Sequence, residues 1–389
     1  MLKDQLIKII FSAANIQRWN DHIRPSVGFS ELDKQAHKMF IAYILAKLEE
    51  RKRDVNWILL IEGSIFEMLQ RVIITDIKPP IYYKIVKSYG KELNNWVLNE
   101  LKRNSGLQND DFFKKFEDYF ENTNDNFEKR ILRAAHYLAT NWEYNIIYEM
   151  NKNLYGAEKT KNEILSELKN HYKLDSVREF ITTNEKLRNF VDLVGQLRYQ
   201  KRWANTPRIP ETTVLGHMYT VAIFSYFELY EKDVCNRLKR NTFLSGLFHD
   251  LPEVLTRDII SPVKKSVAGL DEIIKKIEKE HITNELLPLL PPFMHEEMRY
   301  LLFDEFKCKI FDSDVKFVSR DSIYEEYNKD HFEPVDGSLL KECDLISAYY
   351  EAAISIENGI KPTHLLEVKS NMENKYPFIR RLIPKKQIL

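Results

Sequence analysis

His249 and Asp250 stand side by side at the end of an apolar run, in Gly-Leu-Phe-His-Asp-Leu-Pro-Glu, with Glu253 three residues on. An ionised carboxylate at the end of a buried segment needs a compensating charge, and a bound cation supplies one. His217 lies on a second apolar run, Gly-His-Met-Tyr-Thr-Val-Ala-Ile-Phe, and Asp344 on a third, Cys-Asp-Leu-Ile-Ser-Ala-Tyr-Tyr. Taken singly, a histidine on an apolar helix is more often a core residue with satisfied nitrogens. Taken together, two imidazoles and two carboxylates on separate segments make a mixed nitrogen and oxygen cage for one divalent metal ion. The donor set suits Mn, Co, Fe, Ni, Mg or Zn and does not choose among them. Such a cage leaves positions for water and a substrate oxygen, so the ion can polarise a phosphoryl group and acidify the water. Glu253, one helical turn on, can position that water or carry its proton; the plainer reading is an acid on a helix surface.

These segments must be brought together by helices. Glycine is scarce, 11 in 389 residues, and period-3.6 apolar patterns recur at 34–50, 94–103, 131–151, 213–230 and 338–357. No convincing alternating strand ladder is found, so the expected class is all-α. Turns are marked by Pro79-Pro80, Pro207 to Pro210, Pro288 to Pro292 and Pro334 to Gly337. Residues 158–173 are charged without a strong apolar face and read as a connection, a solvated helix.

Internal similarity divides the chain. Arg18-Trp19 recurs as Arg202-Trp203, and Glu31 before His37 as Glu211 before His217. Glu67 to Arg71 followed by Ile73-Ile74 matches Glu253 to Arg257 followed by Ile259-Ile260, which lays Gly63-Ser64 over His249-Asp250, His136 over Asp344 and Glu143 over Glu351. The expectation is therefore a degenerate helical domain over 1–155, a helical linker over 156–184 and an intact domain over 185–389.

The run His249 to Lys264, with Arg202-Trp203, Glu211, His217, Phe248-His249-Asp250, Glu253, Thr256, Asp258, Pro262 to Lys264 and Asp344 in order, resembles the HD-domain phosphohydrolases, within them the bacterial 5'-deoxynucleotidase type. The resemblance covers about 185–365. It implies tandem HD-type helical bundles, a mononuclear site of His217, His249, Asp250 and Asp344, and hydrolysis of a phosphomonoester of a nucleotide with Glu253 assisting the water. It further implies that Arg202 and Lys264 face the phosphate, Trp203 packs near the sugar, and Thr256 and Asp258 line the substrate. The Gly-His217 lead-in lacks the family's usual Ala-Glu-His. Because related single-domain enzymes are generally dimers, the two halves are expected to pack as an intrachain pseudo-dimer, with higher oligomers left open.

Lys+Arg and Asp+Glu balance at 58 each, so no global field recruits nucleic acid or an anionic membrane surface. Apolar residues at 44% are enough for real cores, and no stretch approaches transmembrane length. Three separated cysteines and an N-terminus unlike a secretory signal give the expectation of a reduced, cytoplasmic protein. A retained pocket that senses nucleotide or metal without turnover is the competing function, but it has no need of Glu253.

Overall fold

The computed structural model describes residues 2–19, 28–75, 77–121, 126–182, 185–257, 267 and 269–384. The chain is all-α apart from two small sheets. Its first half runs α1 (Asp4–Ser12), β1 (Gln17–Arg18), β2 (Phe29–Ser30), α2 (Glu31–Glu50), α3 (Trp57–Ile74), α4 (Pro79–Asn104), α5 (Asp110–Glu121), α6 (Phe127–Asn151), α7 (Ala157–Asn170) and α8 (Asp175–Thr182). The second runs α9 (Glu185–Gln196), α10 (Val214–Tyr230), α11 (Asn236–Phe248), α12 (Glu253–Thr256), α13 (Leu270–His281), α14 (His295–Leu302), β3 (Lys309–Asp312), β4 (Asp314–Phe317), α15 (Arg320–Glu325), α16 (Gly337–Glu357), α17 (Thr363–Lys375) and α18 (Pro377–Arg380).

The helix starts follow local chemistry. Ser30, Asn56, Asn126, Thr213 and Asp336 each accept the N–H three residues on, the side-chain cap that satisfies an orphan donor. Pro79 and Pro80 open α4, where a missing N–H costs nothing. The five expected periodic segments lie within α2, α4, α6, α10 and α16.

At the centre α2 packs on α10; α10 also runs along α11 and α16, and α2 along α6 and α8. One continuous apolar core joins both halves. Phe248 meets Phe40 and Tyr43 at ring separations of 5.4 and 4.9 Å, and the hydroxyls of Ser64 and Tyr219 lie 2.7 Å apart. Phe112, Phe113 and Phe116 are core residues. No helix among the described residues is long and apolar enough to cross a membrane.

Two expectations are corrected. Residues 158–173 are not a solvated connection: α7 buries Ala157, Ile164 and Leu168, and the α8 that follows buries Val177 and Phe180. The burying residues of α7 sit seven and four positions apart, a stripe too narrow to stand out among charges. The hairpin β3–β4 was also unexpected; its second strand is exposed throughout, so no apolar face advertises it.

Gly246 lets α10 and α11 approach closely. A Cβ there would lie 2.9 Å from the Ala222 Cα and 3.1 Å from its N. Since α10 carries His217 and α11 ends at His249, Gly246→Ala is expected to force the helices apart at a cost of about 1–3 kcal/mol. A urea midpoint unchanged from wild type would contradict this.

Candidate metal centre

α10 delivers His217 from its first turn, buried between α11 and α16. His249 caps the C-terminus of α11, and Asp250 stands next to it in the turn that leads into α12. α16 delivers Asp344. Each imidazole is oriented through its far nitrogen: His249 Nδ1 lies 2.8 Å from the Gly246 carbonyl oxygen and His217 Nδ1 3.0 Å from Ser347 Oγ. The carbonyl makes His249 Nδ1 the donor and leaves Nε2 as a lone-pair site.

Both Nε2 atoms are buried and make no hydrogen bond. His217 Nε2 faces Asp344 Oδ1 at 3.2 Å and Asp250 Oδ2 at 3.7 Å, while His249 Nε2 faces Asp250 Oδ2 at 3.2 Å. One ligand atom each from His217, His249 and Asp344 lies within 4.8 Å of the others. Orphaned imidazole lone pairs facing two carboxylates fit a divalent cation, which would satisfy all four. The sequence-expected set thus converges from three separate stretches.

Electrostatics obey the same geometry. Burial opposes charge on both acids, but the adjoining His249 for Asp250, and His217 and Lys341 for Asp344, hold the two carboxyls well below the usual range. Burial and the Arg202 charge push the His217 imidazole down. Burial also works against charge on His249, but Asp250 and Asp344 outweigh it and raise that ring.

Around this centre sits a second layer. Arg202 Nη1 lies 3.6 Å from Asp250 Oδ2, and its Nε lies 3.2 Å from Glu351 Oε1. Trp203 Nε1 donates to Glu351 Oε2 at 2.7 Å and Thr212 Oγ1 to Glu351 Oε1 at 2.6 Å. Glu253 is buried; its N–H donates to the Asp250 carbonyl at 3.1 Å, and its own carbonyl accepts from Gln200 Nε2 at 2.9 Å. Thr256 is half-buried on α12. Asp258 and Lys264 lie outside the described residues. Glu211 is exposed and pairs with Lys201, away from the cluster.

Ser347, Lys341 and Phe306 went unread in the sequence, and Glu351 was noted there only as the counterpart of Glu143. Asp344, Ser347 and Glu351 form one i, i+3, i+7 stripe of α16, so one helix face supplies an acid, orients His217 and anchors Arg202 with Trp203. That spacing from Asp344 was the available signal. Lys341, one turn earlier, donates to Asp344 Oδ2 at 2.8 Å and covers the Phe306 ring at 4.2 Å. Phe306, 6.1 Å from the His249 ring, had no signal.

The first half brings a different set of side chains together. Gln17 pairs with Ser30 as Lys201 bridges to Thr213, and Ser30 and Thr213 are both helix caps. Lys34 lies four residues after its cap, as His217 does after Thr213. Gly63 meets Leu132 as Gly246 meets Leu340, and Phe66-Glu67 follow Gly63 at the spacing at which His249-Asp250 follow Gly246. Lys34 Nζ contacts His136 Nδ1, and Lys38 Nζ binds Glu67 Oε2 at 2.8 Å. His37 instead turns to the Val191 carbonyl, 2.9 Å from its Nε2.

Residues 194–372 match the family model described as HD domain. That stretch carries His217, His249, Asp250 and Asp344. The chain is 23% identical over 200 residues to the 4'-phosphooxetanocin A phosphatase of Priestia megaterium, covering 49% of this chain and 88% of that protein. A solved HD-domain phosphohydrolase from Listeria innocua is 20% identical and superposes with a TM-score of 0.37, covering 50% of this chain and 82% of its own.

Proposed function

We propose that this protein is a metal-dependent phosphohydrolase that cleaves phosphomonoesters of nucleotides. The observation that carries the reading is the pair of buried, unbonded Nε2 atoms of His217 and His249 facing Asp250 and Asp344. These four would hold one divalent cation, which when bound supplies Lewis acidity to a phosphoryl oxygen and a more acidic water. Arg202, beside Asp250, receives the phosphate oxygens, and Glu351 keeps its guanidinium aimed there. Glu253 positions the attacking water and takes its proton. Trp203, fixed through its indole N–H, borders the sugar, and Thr256 serves the substrate; the resemblance implies the same role for Asp258 and Lys264, which lie outside the described residues. The relative named as a phosphatase supports the reaction class.

The first half is inferred to be a degenerate HD-type bundle that packs with the second as a pseudo-dimer. Trp19 and Trp203 share a left-handed backbone, φ 58° and 57°, and both donate Nε1 to a glutamate of a long helix, Glu143 or Glu351. That shared irregularity supports duplication more strongly than matched helical segments do.

The test is phosphate release from nucleoside monophosphates by metal-free protein supplemented with Mn, Co, Fe, Ni, Mg or Zn, with Asp250→Ala alongside. Turnover that needs metal and disappears in Asp250→Ala is expected. Turnover unchanged in Asp250→Ala would remove the proposed site, and nucleotide binding without turnover under any metal would favour a sensor.

A further inference from the structure

Between the two halves lies a buried charge cluster that the proposed chemistry does not use. Arg198, in the 3-10 turn 197–199 after α9, sends Nη1 to Glu143 Oε1 of α6 at 2.8 Å, with the two side chains 1% and 0% exposed. Its Nε donates to the Gly195 carbonyl at 3.1 Å, and its Nη2 lies 3.3 Å from His37 Nδ1. The guanidinium stands over the rings of Phe29 and Trp142, at 4.9 and 4.7 Å. The other Glu143 oxygen accepts Arg18 Nε at 2.8 Å and Trp19 Nε1 at 2.9 Å, so one first-half carboxylate gathers donors from both halves.

From Arg198 the chain runs directly into the candidate site. Gln200 holds the Glu253 carbonyl through its side chain, and its own carbonyl accepts Val214 N–H at 2.9 Å. Arg202 N–H donates to the Thr212 carbonyl at 3.0 Å, and its guanidinium reaches Asp250 and Glu351. Thr213, the cap of the helix that carries His217, donates its hydroxyl to Asp33 of α2. Residues 198–203 thus form a strap anchored on the first half at one end and on Glu253, Asp250 and Glu351 along its length.

Resting on the reading of Arg202 as the phosphate-binding arginine, we propose that Arg198 is a positioning residue. Through Glu143 the first half fixes the register of the strap and so the placement of Arg202 and Trp203. The degenerate bundle would then act as a clamp on the second-half site. A planar fork held on two oxygen acceptors and two rings sets orientation in a way a lysine does not.

The experiment compares full-length wild type with Arg198→Met and Arg198→Lys, using a nucleoside monophosphate and recording metal content. A displaced strap is expected to raise KM roughly 10-fold or more in Arg198→Met with metal stoichiometry retained, since misplacement by about 1 Å can cost 10²-fold in rate. Arg198→Lys is expected to recover only part of the loss. Wild-type KM and kcat in a folded, metal-loaded Arg198→Met would overturn the proposal. Should wild type hydrolyse nothing, the functional reading fails while the clamp is still read by hydrogen exchange. The Arg202 and Val214 amides should then lose at least about 10-fold protection in Arg198→Lys while α13 amides keep theirs. Equal change at both places, or none, would overturn it. If Arg198→Met does not fold, the exchange comparison on Arg198→Lys decides.

Discussion

Exchanging His249 for alanine is expected to strip the chain of its divalent cation and lower phosphate release by about 10³-fold or more. Exchanging Glu253 for glutamine should lower kcat by about 10²–10⁴-fold while the cation stays in place. The contrast comes from where the two groups sit. His249 presents a buried Nε2 to the Asp250 carboxylate, and its removal takes away a candidate ligand and the positive partner that most lowers the Asp250 pKa. Repulsion between Asp250 and Asp344 would then favour protonation of one of them. Glu253 is tied by its backbone to Asp250 and Gln200, so a glutamine of the same shape can keep the turn intact. Metal analysis beside steady-state kinetics separates the two roles. A Glu253→Gln protein that loses its metal would make that residue a ligand, and a His249→Ala protein with full activity would remove the centre.

How much of the fold and site is legible in the sequence differs by element. The helices α2, α6, α10 and α16 announce themselves by period, since each buries a broad face against the shared core. His249 and Asp250 are legible because two adjacent polar groups at the end of an apolar run would be costly to bury without a balancing cation. Their meeting with Asp344 is not legible without the resemblance, because nothing local says which face of α16 turns inward. Matching His37 with His217 by sequence and matching Lys34 with His217 by helix caps differ for a specific reason. A slip of three or four residues along a helix returns to nearly the same face, so apolar matching cannot tell one turn from the next. The caps Ser30 and Thr213 fix what periodicity leaves free. Lys34 was overlooked because a buried lysine is rare; its ammonium is pushed far down by burial, and a His136 nitrogen is its partner. The narrow stripe of α7 illustrates the opposite failure, in which ordinary surface charge conceals a packed helix.

Glu351 offers the sharpest test of how the site is held. Its carboxylate is buried and takes donors from Arg202, Trp203 and Thr212. Burial opposes its charge, yet Arg202 and Arg208 outweigh that and hold the pKa at about 2 against an ordinary 4.5. Because the folded value is the lower one, the ionised form favours the fold. The contribution is complete above the unfolded value and disappears as pH falls toward 2. A depression of this size corresponds to roughly 3 kcal/mol. Glu351→Leu, which takes a buried carboxylate away from Arg202, Trp203 and Thr212, is expected to cost about 3–5 kcal/mol at neutral pH. Glu351→Gln turns an N–H₂ toward those donors and is expected to lose roughly 3 kcal/mol there. Glu31 and Glu297, also held at about 2, will steepen acid unfolding of wild type and variant alike. What distinguishes residue 351 is therefore the gap between the two proteins, which should narrow as pH is lowered below about 4.5. Urea midpoints for wild type and Glu351→Gln, taken at pH 7 and stepwise into that window, measure the gap. A gap of constant width would mean that packing, not the charge on this carboxylate, secures Arg202 and Trp203 beside the metal-binding side chains.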